Sequence, residues 1–319
     1  MQPHGRFRRI LPAIAVSGAL LAAWVAYSIL TLPSVAKLAK PGVSLTITVK
    51  DWNRKDHRFV VGPRNPRWTP YGAIPAALKK AVVASEDANF YTHEGVDYEA
   101  IGEAIKTDLK KGKFIRGGST ITQQVAKNLF LTREKTLIRK VKEIVLARRM
   151  DDALSKSRIL ELYLNVVELG PMVYGIGHAS HYYFGKPPSA LTVRECAFLA
   201  SMLPGPKVYN PYRKMDRVMK RSNRILRRMV AARMISREQY DAAMAEVPNL
   251  AGLARKVEKT LETPPPEEKP PEEAPDGGPV VIDSSPAAPG EPGVEESPVP
   301  EGTATEGLPT GPPSDHPIR

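Results

Sequence analysis

Four polar clusters hold the residue types that chemistry needs. The first is Ser85-Glu86-Asp87-Ala88-Asn89-Phe90-Tyr91-Thr92-His93-Glu94-Gly95, where an apolar helical run (Ala77, Leu78, Ala81, Val82) leads straight into adjacent carboxylates. A helix C-terminus disfavours carboxylates by about 0.3–1 kcal/mol each. Acids placed there suggest a use, such as a proton acceptor in a cleft, with a solvated helix end as the plain alternative. His93 alone reads as a structural hydrogen-bonder. The second cluster is Gly117-Gly118-Ser119-Thr120-Ile121-Thr122-Gln123-Gln124-Val125-Ala126-Lys127-Asn128. On a helix Thr120, Gln123, Gln124 and Lys127 share one face, opposite Ile121, Val125 and Leu129. The glycine pair and Ser119 would open that helix with free N–H groups, a setting that suits a phosphate or a sugar.

The third cluster is Arg139-Lys140-Val141-Lys142-Glu143. Leu137, Val141, Ile144 and Val145 are expected as its buried stripe. That leaves Arg139 and Glu143 as an exposed i, i+4 pair contributing a few tenths of a kcal/mol. The fourth, Lys156-Ser157-Arg158-Ile159-Leu160-Glu161-Leu162-Tyr163-Leu164-Asn165, is by itself an ordinary amphipathic helix.

The elements that must position these clusters are mostly helices. Periodicity and breaks predict them over roughly 75–87, 97–110, 119–130, 135–153, 155–166, 173–184, 192–203 and 213–246. Short strands are expected at 43–49 and 59–61, and no later run alternates. The last predicted helix carries nine Lys or Arg between Arg213 and Arg233, interleaved with Met215, Val218, Ile225, Leu226 and Met229. It reads as a solvated basic face over a core face, or as an interfacial helix against anionic lipid.

Of 319 residues, 46 are Lys or Arg and 34 Asp or Glu, a net charge of +12. Residues 262–319 hold 16 prolines, 13 acids and 2 bases, so the body before them carries +23. Beyond about residue 257 the chain lacks the apolar residues that offset chain entropy and is expected to be disordered. A single cysteine, Cys196, excludes an intrachain disulfide and any CxxC site; its apolar neighbours predict burial. Residues 10–36 carry no charge and are long enough to span a bilayer, after Arg6, Arg8 and Arg9. A retained anchor with a cytoplasmic N-terminus is therefore expected. The rival is a cleaved signal peptide ending at Ser34-Val35-Ala36, whose apolar region would span only about 7–15 residues. The body then lies outside the cytoplasm, and its positive charge points to anionic lipid head groups and diphosphates rather than nucleic acid.

In this order and at these separations, the clusters resemble the family-51 glycosyltransferases, the peptidoglycan polymerases. The first motif of that family, Glu-Asp-x-x-Phe-x-x-His-x-Gly, is matched at Glu86, Asp87, Phe90, His93 and Gly95. The second is matched at Gly117 to Gln124 with Lys127 and Asn128, the third at Arg139, Lys140 and Glu143. The fourth is matched at Lys156, Ile159, Leu160, Glu161, Tyr163, Leu164 and Asn165, and an apolar fifth runs from Ala197 to Pro211. The resemblance covers about residues 70–215. Only 73 residues follow residue 246, too few and too Pro-rich for a transpeptidase domain, so the chain looks like a monofunctional member. One departure is Lys135, where most relatives carry Arg: the charge is kept and the bidentate fork is lost, with Arg133 as a substitute.

The resemblance implies a mostly α, lysozyme-like glycosyltransferase domain with a small membrane-proximal lobe, preceded by one transmembrane helix. The implied divisions are 1–9 cytoplasmic, 10–36 anchor, 37–256 catalytic domain and 257–319 tail, on the bacterial cytoplasmic membrane. The implied reaction joins lipid II units into β-1,4 glycan strands and releases undecaprenyl diphosphate. Glu86 would be the general base and Glu143 the second catalytic carboxylate, orienting Lys140 or helping to hold a divalent ion. Ser119, Thr120, Gln123, Gln124, Lys127, Lys135, Arg139 and Lys140 would bind substrate, the lysines neutralising the leaving diphosphate. No organic cofactor or protein-built metal site is expected, although a divalent cation (Mg²⁺ or Mn²⁺) could accompany the diphosphate. Partners would be lipid II, the growing lipid-linked chain, membrane lipids and wall-synthesis proteins. Two other readings compete: a lysozyme-like lytic enzyme, which wants two carboxylates flanking the glycosidic bond, and a non-catalytic anchored scaffold.

Overall fold

The computed structural model describes residues 4–50, 55–112, 118–132, 134, 136–203, 205–206 and 208–251, with side chains described from residue 15. Arg133, Lys135 and Gly117 lie outside the described residues, as does the tail expected over 257–319. The chain opens with α1 (His4–Leu30), whose exposed apolar side chains include Leu20, Leu21, Trp24 and Leu30. Among the described residues no helix is long and apolar enough to cross a membrane.

An antiparallel pair follows, β1 (Leu45–Lys50) against β2 (Asp56–Val61), in register from Leu45↔Val61 to Lys50↔Asp56. Then come α2 (Ala76–Glu86), α3 (Tyr98–Lys111), α4 (Ile121–Phe130), α5 (Leu137–Ala153) and α6 (Lys156–Val166). A small hairpin, β3 (Glu168–Gly170) with β4 (Val173–Tyr174), leads to α7 (Ile176–Phe184) and α8 (Val193–Ser201). The described body ends with α9 (Pro211–Ala231) and α10 (Arg237–Ala245). The architecture is mostly helical, as expected.

Two helices form the axis of the core. In α6 Ile159, Leu160, Leu162, Tyr163 and Leu164 are all buried, and in α8 so are Cys196, Ala197, Phe198, Leu199 and Ala200. A helix apolar on every side must be surrounded by others. Accordingly α4 lies against α5 and α6, while α2 lies against α8 and α9. Cys196 is buried as predicted, and burial pushes its thiol well above the ordinary range.

Four expectations need correction. The run 213–246 is two helices: α9 stops at Ala231, Arg233 takes a left-handed turn at φ 54°, and Ser236 with Gln239 forms a capping box for α10. The predicted helix over 173–184 starts only at Ile176, because Gly175 sits at φ 76° and Val173-Tyr174 pairs with β3. That hairpin is too short to alternate, which hid it. On α5 the buried residues are Glu143, Leu146, Ala147 and Met150, whereas Leu137 is 89% exposed. The expected stripe of Leu137, Val141, Ile144 and Val145 is thus rotated away from the core. The opening of α4, expected to offer free N–H groups, is already filled from within the chain, as described next.

Candidate active site

The four clusters, scattered over eighty residues of sequence, are tied to one another by side-chain bonds. Glu86 is the last residue of α2, and its Oε1 accepts from Ser85 Oγ and Arg221 Nη2, both at 3.1 Å. Its Oε2 accepts from Gln124 Nε2 at 3.3 Å. Gln124 itself accepts from the hydroxyl of Tyr163 at 3.2 Å. Tyr163 is fully buried, and burial followed by the negative charges of Glu86 and Asp87 pushes its phenol well above the usual range. The phenol therefore stays a donor, which fixes the Gln124 amide so that its NH₂ points at Glu86.

Asp87 faces the other way. Its Oδ2 accepts from the backbone N–H of Ile121 at 2.9 Å and meets His93 Nε2 at 3.0 Å. The anion favoured at the start of α4 is thus the protein's own Asp87. Thr120 caps the same helix: its Oγ1 accepts from Gln123 N–H, the Gln123 side chain accepts from Thr120 N–H, and Thr120 Oγ1 donates to Gly95 O at 2.7 Å. Both side chains are buried and engaged in this cap. The outer face of α4 is instead carried by Gln124 and Lys127, Lys127 being exposed. Gly95 holds φ 80°, and a Cβ there would stand 2.6 Å from the Ala147 carbonyl oxygen, so the motif requires glycine.

A second polar knot sits at the Ser119 end of α4. Lys140 Nζ donates to Ser119 Oγ at 2.9 Å and to Glu143 Oε1, while Arg139 Nη1 donates to Glu143 Oε2 at 2.8 Å. Glu143 is only 3% exposed and holds both cations in place. It is not the exposed partner of a surface pair. Since each Glu143 oxygen already accepts from a cation, these residues do not fit a protein-held divalent ion. Among the described residues no group of three or more His, Cys, Asp or Glu could hold a metal. The fourth cluster closes the ring from below: Lys156 donates to the His93 carbonyl and to Asp151, and Asn165 clasps Thr69. Glu161 is occupied by Arg158 and the Trp68 indole, a structural use.

The Transglycosylase family's sequence model matches residues 55–230, more than half of the chain. The chain belongs to the Transglycosylase family. A biosynthetic peptidoglycan transglycosylase of Nitrosomonas eutropha is 47% identical over 168 residues, covering 53% of this chain and 69% of that protein. One of Burkholderia thailandensis is 38% identical over 232 residues, 72% of this chain and 90% of that protein. Penicillin-binding protein 1A of Escherichia coli is 44% identical over 176 residues, 55% of this chain and 21% of that one.

The transglycosylase has a site residue far in sequence from the four polar clusters. Arg221 reaches Glu86 across 135 positions of sequence, with its guanidinium over the Tyr209 ring at 5.4 Å. A signal for it exists. Arg221 falls three residues after Val218 and four before Ile225, both buried, so it lies beside the apolar stripe of α9. An arginine in that position needs a partner inside the fold.

Proposed function

We propose that the transglycosylase is a peptidoglycan glycosyltransferase in which Glu86 removes the proton from the acceptor hydroxyl. The observation that carries this is the support of Glu86 by donors from three directions, Ser85, Gln124 and Arg221. A carboxylate held that tightly stays at one point in space, as a proton acceptor must. Ser119 and Gln124, five residues apart, tie the cation knot and the carboxylate to one helix start. At about 1.5 Å rise per residue this keeps both within one disaccharide's reach.

The acceptor is the 4-hydroxyl of lipid II, and the donor is a glycan chain on undecaprenyl diphosphate. The hydroxyl oxygen attacks the anomeric carbon while its proton passes to Glu86. The bond from that carbon to the diphosphate breaks, and the leaving group departs with the electron pair. Lys140, held by Glu143, meets the negative charge that develops there, together with Lys127 and Lys135. A divalent cation, where one takes part, enters with the diphosphate rather than on a site built by the protein. Glycoside hydrolysis would need a second carboxylate opposite Glu86; Asp87 is committed to His93 and Ile121, and Glu143 to two cations.

The wider architecture follows the same reading. The lysozyme-like domain comprises 37–256 and its smaller lobe rests on the membrane, where α3 and the start of α5 expose Ile105, Leu109, Leu137 and Val141. Residues 10–36 form a single-pass anchor in the bacterial inner membrane, with uncovered Leu20, Leu21 and Trp24 facing lipid. The acidic tail, 257–319, is a spacer or docking arm for wall-synthesis proteins. Incubating the purified chain with labelled lipid II, with and without EDTA, tests the proposal. Polymer growth with release of undecaprenyl diphosphate is expected. Release of shortened muropeptides from preformed wall, without polymer growth, would establish the lytic reading instead.

A further inference from the structure

Away from Glu86, two adjoining cavities of about 270 Å³ and 530 Å³ lie between the β1–β2 hairpin, the loop after it and α7. They share Pro66, Arg67 and His178, and they share no residue with the site around Glu86. Arg58 and Arg64 line the first, and His181 lines the second. Among the described lining residues none is acidic. Glu168, opposite Tyr174 in the β3–β4 pair, lines neither cavity.

Arg139, Arg148, Arg158, Arg221 and Arg237 each meet a carboxylate within 3.1 Å. Arg58, Arg64 and Arg67 have no ion pair among the described residues. Three exposed guanidiniums lining one groove, with no counter-ion among the described residues, repel one another weakly through solvent, and an incoming anion would relieve that. The opposite wall is apolar: Phe59 and Tyr174 pack with ring centroids 5.3 Å apart. Beside them Met172 is held at φ 59°, a conformation that costs a non-glycine residue about 1–3 kcal/mol. Strain of this kind persists where surrounding structure fixes it, and both Met172 and Tyr174 line the cavity.

We infer that the groove formed by Arg58, Arg64, Arg67 and His178 is a second anion site, taking a phosphate group beside an apolar moiety. Guanidinium forks match the paired oxygens of phosphate, and the Phe59–Tyr174 wall accepts what the phosphate carries. The phosphate could belong to a membrane lipid head group or to a soluble phosphate ester; both share the recognised chemistry. His178 supplies the reporter. Burial first, then the positive charges of Arg67 and His181, hold its imidazole below the ordinary histidine value. The other charged or titratable groups lining the groove are Arg58, Arg64, His57, Tyr174 and Tyr182, the last in ring contact with His178. A bound phosphate would reverse the sign of that field, so the His178 pKa rises on binding, by about one unit or more.

The experiment uses the full chain in neutral detergent with ¹⁵N-labelled histidines, the His178 signal being assigned through His178→Gln. Inorganic diphosphate is titrated in one arm. In the other, vesicles of phosphatidylglycerol are compared with vesicles of phosphatidylcholine. Saturable movement of the His178 resonance and a raised pKa are expected in at least one arm. Arg64→Ala/Arg67→Ala should weaken the response about tenfold or more, since each lost contact is a charge-assisted bond. Both positions are exposed, so unfolding temperature and lipid II polymerisation should match wild type. A response to phosphatidylglycerol alone assigns the phosphate to lipid, and one to diphosphate alone assigns it to a soluble ester. A His178 signal unmoved in both arms, or moved equally in the double variant, overturns the inference.

Discussion

Arg221→Met removes a cation that contacts Glu86 while keeping an unbranched apolar stem. Arg221 Nη2 lies 3.1 Å from Glu86 Oε1 and 3.1 Å from Ser85 Oγ, and the two charged side chains are 21% and 10% exposed. A hydrogen bond to a charged group contributes about 1.5–3 kcal/mol, and breaking a buried ion pair costs up to about 3–5. Partial exposure of the guanidinium places the expected loss near the lower range, about 2 kcal/mol. If that loss falls on the positioning of the base, turnover drops roughly thirtyfold. The assay is polymerisation of labelled lipid II in detergent, read alongside thermal unfolding of the same preparation. Arg221→Lys should recover part of the rate, because an ammonium keeps the charge on a shorter stem that does not reproduce the position of Nη2, which donates to both Ser85 and Glu86. A cycle with Glu86→Gln separates positioning from general weakening. Once the base is gone, Arg221→Met should cost little further rate. Turnover within twofold of wild type, or fully additive losses, would refute the role given to Arg221.

Other outcomes follow from the same contacts. Glu143→Gln should reduce turnover about tenfold with KM for donor raised, because Lys140 and Arg139 lose the carboxylate that orients them; steady-state kinetics measure it. Gly95→Ala should lower stability by about 1–3 kcal/mol or more, given φ 80° and the 2.6 Å approach to Ala147 O, read by urea unfolding. Asp97 gives a pH test: burial pushes its carboxyl up, but the Ala100 N–H and Asn89 amide outweigh burial and hold it below the ordinary value. A depressed folded pKa contributes stability above the unfolded value near 4, lost as pH falls through the folded value. Asp97→Asn should therefore destabilise at pH 7 and much less at pH 3. Cys196 should resist iodoacetamide at pH 8 in the native chain and react on unfolding, since burial disfavours its thiolate.

Much of this site is legible in the sequence, and what is not has physical causes. Helix existence and type could be read because α2, α4, α6 and α8 bury runs of apolar residues between clear breaks, whereas the capping box that starts α10 goes unread in the sequence, where α9 and α10 merge into one run. Periodicity failed on α5, where apolar Leu137 and Val141 face outward and an acid faces inward. A pattern of hydrophobicity cannot tell an apolar surface meant for contact from one meant for the core. Thr120 and Gln123 share a helical face with Gln124 and Lys127 in projection, yet the cap turns the first two inward. The short β3–β4 hairpin offered no alternation. The pairing of Glu86 with Arg221 was beyond reach because spacing along the chain carries no information on contacts 135 residues apart, although Arg221 beside the apolar stripe of α9 was a visible hint.

The central claim is that Glu86 takes the acceptor's proton. It is tested most directly by single-turnover transfer to labelled lipid II with Glu86→Gln, alongside equilibrium binding of the same substrate. General-base catalysis contributes roughly 10²–10⁴ in rate, so transfer should fall at least a hundredfold while binding changes little. A variant that binds normally and keeps a third of wild-type turnover would contradict the account.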